Sequence, residues 1–197
     1  MLGEIIKAAN LHPSRIFNIT VFGSRVYGTC NANSDWDIAI VANNSVESIE
    51  LKTDKYNIHI FTPDKFYQDL LWHNPRNLEC HFAPGTSKIL STKQFDFILD
   101  KKKLKHSVIH TSNSSWEKAG WKFQNGDRHS AIKSAFHSLR IPQFGLQILK
   151  HGTILDFSCA NSIYWQMLSI NNWEQLEELF SKNRTDILNN FINLAKV

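Results

Sequence analysis

Cysteine is scarce in this chain, with three residues, Cys30, Cys80 and Cys159, among 197. The number is odd, the spacing wide and no C-x-x-C pair occurs, which argues against a disulfide framework and a cysteine-based zinc site. Long apolar runs are missing too. Nothing approaches the roughly 20 residues that a helix needs to cross a bilayer, so no membrane association is expected. The N-terminal stretch MLGEIIKAANLHPSR carries Glu4 early and lacks a signal-peptide cleavage pattern, so the expected location is cytoplasmic. Internal repeats and low-complexity segments are absent as well.

What is there suits a folded protein. Hydrophobic residues make up 42% of the chain and aromatics 12%, including six Trp, enough for a core and for one or two small domains. The formal charge of +4 is modest. It is compatible with a polyanionic partner and requires none. The one basic cluster, DKKKLKH at 100–106, reads as a solvated surface.

The pattern changes character along the chain. Residues 1–9 have helical spacing, and Pro13 breaks the helix. IFNITVF is a β-branched and aromatic strand ending at Gly23, and Ser24 would cap a short helix over SRVYGT. NANS is a turn, DWDIAIV a second strand and KYNIHIF a third. Pro63 opens a helix, and NPRNLECHFAPG holds another. Beyond KKKLKHS the strand signals vanish. Helices are expected from about Ser107 to Gln124 and from about Asp127 to Lys150, the latter kinked at Pro142 and stopped by Gly152. One or two more helices follow in the tail. The expected class is α+β, with a small mixed-sheet domain over 1–104 and an all-helical domain over 105–197.

The stretch VFGSRVYGTCNANSDWDIAIV carries the chemistry. Strand alternation puts Asp35 and Asp37 on one face, where two carboxylates repel unless a cation lies between them. Taken alone, the pair is also compatible with Asp35 merely capping the strand entrance. Gly23-Ser24 sits at a strand-to-helix turn, where backbone amides and the helix dipole favour a phosphate and the serine hydroxyl adds a donor. A phosphate cradle just before paired carboxylates suggests a triphosphate bound with Mg²⁺, an ion that takes one or two carboxylates plus phosphate oxygens.

These residues resemble the G-S-R-x-Y-G…S-D-x-D signature of the DNA polymerase beta-like nucleotidyltransferase superfamily, in particular its branch of small predicted nucleotidyltransferases with a C-terminal helical domain. LLWHNPRNLECHFAP resembles that branch's N-P-x-x-L-E segment. KSAFHSLRIPQFGLQILKHGTI resembles its K-x-A-x-H-x-x-R helix. The pieces occur in order over roughly residues 19–154. The resemblance implies transfer of a nucleoside monophosphate from a nucleoside triphosphate to an acceptor hydroxyl on RNA, protein or a small molecule. It implies Mg²⁺ or Mn²⁺ on Asp35 and Asp37, and substrate contacts from Gly23, Ser24, Arg25, Lys133, His137 and Arg140 at a site between the two domains.

The superfamily places a third carboxylate on the next strand, and here that position is Asn57. An amide is a weak neutral ligand and no base. His59, two residues on, shares its face and is a candidate base, or an ordinary strand residue. Asp54 and Glu50 precede the strand without any spacing that demands a role. The readings that stay open are catalysis through another base, a nucleotide-binding or regulatory protein with a disarmed site, and an introduced Asp-to-Asn change. A partner-binding protein akin to antitoxin nucleotidyltransferases is a further class.

Lys133, His137 and Arg140 fall within one arc of a helix, as a solvated basic stripe or, by the resemblance, as triphosphate or acceptor contacts. Glu79 reads as a capping or salt-bridging residue. Trp116, Trp121, Phe123, Phe136 and Phe144 are expected to pack the helical core.

Overall fold

The computed structural model describes residues 1–196. The chain divides into two compact units, Met1–Ile98 and the segment from Leu99 onward. The architecture is α+β, a five-stranded mixed sheet with its helices followed by a helical unit.

In the first unit, α1 (Leu2–Ala9) ends where Asn10 turns left-handed, with φ 51°. The strands β1 (Ile16–Phe22), β2 (Trp36–Ala42), β3 (Ser48–Lys52), β4 (Tyr56–Phe61) and β5 (Lys88–Ser91) are ordered β3-β4-β2-β1-β5. Only β2 and β4 run parallel; the other neighbours are antiparallel. The sequence predicts three of these strands. The edge strands β3 and β5 are short and largely uncovered, so their apolar signal is weak.

Alternation divides the sheet into two faces. Ile19, Val21, Ile38, Ile40, Ile58 and Ile60 point to one side and form a core with Ile5 and Ala9 of α1. The opposite face carries Thr20 and Phe22 on β1, Asp37, Ala39 and Val41 on β2, and Asn57, His59 and Phe61 on β4, as the register requires. Two helices pack there, α3 (Pro63–Leu71) and α4 (Pro75–Phe82), with Phe66 edge-on to Phe61 at 5.9 Å. Their coverage leaves the Asp37 end of the face half-open.

The helical unit begins earlier than the sequence pattern suggests. Asp100 accepts hydrogen bonds from the amides of Lys102 and Lys103, so the lysine cluster opens α5 (Lys101–Gln124) and Leu104 is already fully buried. The residue 104 boundary of the sequence reading therefore runs through the first turns of a helix.

A short connection around Gly126 leads into α6 (Arg128–His151), which continues through Pro142 and stops at Gly152. It is followed by α7 (Asn161–Met167) and α8 (Trp173–Leu194). Helix α6 packs against all three others. A Cβ on its Gly145 would lie 2.7 Å from the ring of buried Phe191, so glycine sets that close approach. Of the aromatics expected in this core, Trp121 is instead exposed, at 62%. Trp116 packs on Trp173, with ring centroids 5.1 Å apart.

Candidate active site

Three of the residues singled out by the sequence meet at one point of the sheet. Gly23 ends β1 with φ 77° and ψ −155°, a backbone that disfavours any side chain. A Cβ there would lie 2.2 Å from Asp37 Oδ2, so the turn rests directly on the carboxylate. Asp37 is paired across the parallel ladder with Asn57. The Asn57 side-chain amide donates to Asp37 Oδ1 at 3.1 Å. The other end of that amide, Asn57 Oδ1, is buried and accepts no hydrogen bond. Buried carbonyl oxygens are rarely left so, and a cation is one group that satisfies them.

Asp35 lies one residue before β2 and is half-buried, like Asp37. Among the described residues no cluster of three or more His, Cys, Asp or Glu forms a ready-made metal site. Two carboxylates still suit Mg²⁺, which keeps several positions for water and phosphate.

The turn after Gly23 corrects one expectation. Gly23, not Ser24, occupies the cap position of α2 (Ser24–Tyr27), and Ser24 is its first residue. At four residues the helix offers little dipole, so any phosphate affinity rests on local amides and the Ser24 hydroxyl. Arg25 is engaged inside the unit. Its guanidinium donates to the carbonyls of Ser34 and Asp35 and stacks on Trp36, 4.1 Å from the ring centre. It thereby braces the loop that delivers Asp35.

One contact and one neighbour escaped the sequence reading. Tyr27 Oη donates to Glu79 Oε2 of α4, and both residues are buried. Glu79 lies within α4 and does not cap it. The register also sets Lys52 of β3 opposite Asn57 on the same face. The alternation of SIELK, with Ile49 and Leu51 packed on the core, was the available signal.

His59 is placed on the expected face but is 5% exposed. Its Nδ1 lies 3.1 Å from Nη1 of Arg76. A guanidinium only donates, so Nδ1 must accept, and the neutral ring carries its proton on Nε2. Burial, and then the Arg76 charge, push its pKa below the ordinary value, with Glu50 opposing. The 3.7 Å approach of Glu50 to the same Nδ1 is therefore no ion pair. A ring whose lone pair is already taken is no base.

In the helical unit the basic stripe has three different environments. Lys133 is exposed, His137 half-buried and Arg140 only 4% exposed. The Arg140 guanidinium lies 5.4 Å from the ring centre of Phe136 and 5.3 Å from that of Phe144, and Nη2 donates to His137 Nδ1 at 2.7 Å.

Cys30, Cys80 and Cys159 are free thiols. Burial raises the pKa of Cys80, and that of Cys159 is pushed up to about 11 for the same leading reason. Among the described residues no helix is long and apolar enough to cross a membrane.

No curated protein matches the chain. Among solved structures, a nucleotidyltransferase-like protein from Exiguobacterium sibiricum 255-15 is 14% identical, with 98% of this chain and 72% of that one covered and a TM-score of 0.33. Spectinomycin adenyltransferase AAD(9) from Enterococcus faecialis, solved with ATP and spectinomycin, is 11% identical, with 100% and 98% covered and a TM-score of 0.46. Residues 4–96, within the N-terminal unit, match the family model described as Polymerase beta, Nucleotidyltransferase.

Proposed function

We propose that this protein transfers a nucleoside monophosphate from a nucleoside triphosphate to an acceptor hydroxyl, with release of pyrophosphate. The observation that carries the reading is the meeting of Gly23, Asp37 and Asn57, where a bare Cα lies against a carboxylate at the half-open end of the sheet face. Asp35 and Asp37 would hold Mg²⁺ or Mn²⁺, with the Asn57 amide donating to Asp37 Oδ1 beside them. When bound, the ion neutralises phosphate charge as pyrophosphate departs. Gly23 lets the triphosphate approach the carboxylates, and Ser24 Oγ donates to a phosphate oxygen. The acceptor oxygen then bonds to the α-phosphorus as the bond to the β-phosphate bridge breaks. Lys133, His137 and Arg140 are proposed as contacts to triphosphate or acceptor. Of these, Lys133 is exposed and Arg140 buried. A cytoplasmic location goes with this reading.

A second reading is favoured by the proton inventory. Asn57 cannot take the proton of an attacking hydroxyl, and the His59 lone pair is held by Arg76. On this reading the protein binds nucleotide and turns it over slowly or not at all.

One experiment separates the two. Labelled triphosphates are incubated with Mg²⁺ or Mn²⁺ and with RNA or lysate, using the native chain, Asn57→Asp and Asp35→Ala/Asp37→Ala. Transfer by the native chain that the double alanine change abolishes supports the transferase. Transfer only by Asn57→Asp supports the binding protein. Triphosphate binding indifferent to loss of both aspartates overturns the metal role given to Asp35 and Asp37.

A further inference from the structure

The one-turn helix α2 has no stability of its own, because a single turn fixes several residues for very few hydrogen bonds. Its place against Asp37 must come from contacts outside it. Arg25 supplies one toward the loop before β2. The other is the buried pair of Tyr27 and Glu79, 6% and 3% exposed, which joins the end of α2 to the middle of α4.

A phenylalanine and a leucine would fill those volumes without a carboxyl to desolvate, and burying such a group costs free energy unless it is hydrogen-bonded. What a polar pair adds is direction: the hydroxyl must lie at one place relative to α4. The clearance it controls is small, since Gly23, four residues upstream, leaves no room even for a Cβ beside Asp37.

We infer that Tyr27 and Glu79 are positioning residues, a buried hydroxyl–carboxyl pair that sets the Gly23-Ser24 turn at the distance from Asp37 that a triphosphate requires. The inference rests on the reading of that turn and carboxylate as the nucleotide site. It adds that the tyrosine and glutamate of the two sequence motifs act on each other and do not touch the ligand.

The test uses the full chain and Tyr27→Phe, Glu79→Leu and Glu79→Gln. Two readouts are taken: amide hydrogen exchange over residues 24–28, and the dissociation constant for MgATP by calorimetry. Tyr27→Phe and Glu79→Leu are expected to speed exchange in that segment and weaken MgATP roughly tenfold, the scale of one hydrogen bond to a charged group. Glu79→Gln keeps an oxygen that accepts from the hydroxyl and should restore most of both. If the leucine variant does not fold, the Phe and Gln variants still decide the matter.

A lower Tm with unchanged exchange at 24–28 and unchanged MgATP affinity would mean that the pair is only structural, and would overturn the inference. Failure of the site itself looks different. Native protein would then bind MgATP no better than Asp37→Ala, while exchange at 24–28 would still report whether the pair positions the turn.

Discussion

The two units use polar groups in opposite ways. In the mixed-sheet unit, Asp35 and Asp37 stay half-buried, Asn57 donates to Asp37 across the ladder, and the Gly23 turn lies against the same carboxylate. In the helical unit, the cation most suited to bidentate phosphate binding, Arg140, is enclosed by Phe136 and Phe144 and hydrogen-bonded to His137. The same kind of sequence motif, polar residues spaced to share a face, thus yields a half-open sheet end in one place and core architecture in the other. What separates them is how much neighbouring structure covers the face.

The harshest break of that contrast is Gly23→Ala. A side chain there combines positive φ with a 2.2 Å approach to Asp37. It should destabilise the first unit by about 2–4 kcal/mol and abolish triphosphate binding. Calorimetric unfolding and a binding isotherm check both, and native-like values would refute the close approach. The matching change in the helical unit, Gly145→Ala, meets the Phe191 ring at 2.7 Å. Overpacking should cost about 1–3 kcal/mol there, and triphosphate binding at 25 °C should persist.

Arg140→Ala and Lys133→Ala sharpen the comparison within one stripe. Truncating buried Arg140 should lower stability by about 2–4 kcal/mol, because it empties a space between two rings. Exposed Lys133 should change it by under about 0.5 kcal/mol. Equal effects in denaturant titrations would restore a uniformly solvated stripe.

The mildest effect concerns pH. His59 has a folded pKa below its ordinary value, from burial first and Arg76 second, and His81 is lowered by burial and then Lys88. The unfolded chain therefore takes up these protons first. Stability is fully present above the ordinary histidine range and is lost as pH falls through about 6.5 toward the lowered folded values. Tm should drop between about pH 7.5 and about pH 5.5, and less steeply in His59→Gln. A slope unaltered by that change would show that His59 is not buried neutral.

Much of this was legible locally. Period-two alternation identified β1, β2 and β4, and glycine at a strand end pointed to a tight turn. Other features were not. Edge strand β3 hides because its outer residues face water and β5 because it is only four residues long, so Lys52 beside Asn57 went unread although SIELK alternates. Ser24 looked like a cap because its chemistry fits one, yet the left-handed Gly23 takes that position. Trp121 is aromatic at a helical position, but nothing in its own type reveals whether a neighbour covers it.

The sequence by itself determined what short-range geometry decides: which residues alternate, where φ must be positive, and that residue 57 carries an amide and not a carboxylate. Only the tertiary structure decided what that amide faces, where the His59 lone pair goes, that Tyr27 finds Glu79, and that Arg140 is buried while Lys133 is not. Those outcomes depend on strand order and helix packing, which join residues far apart in the chain. No local pattern encodes such contacts, because each requires both partners to be placed at once.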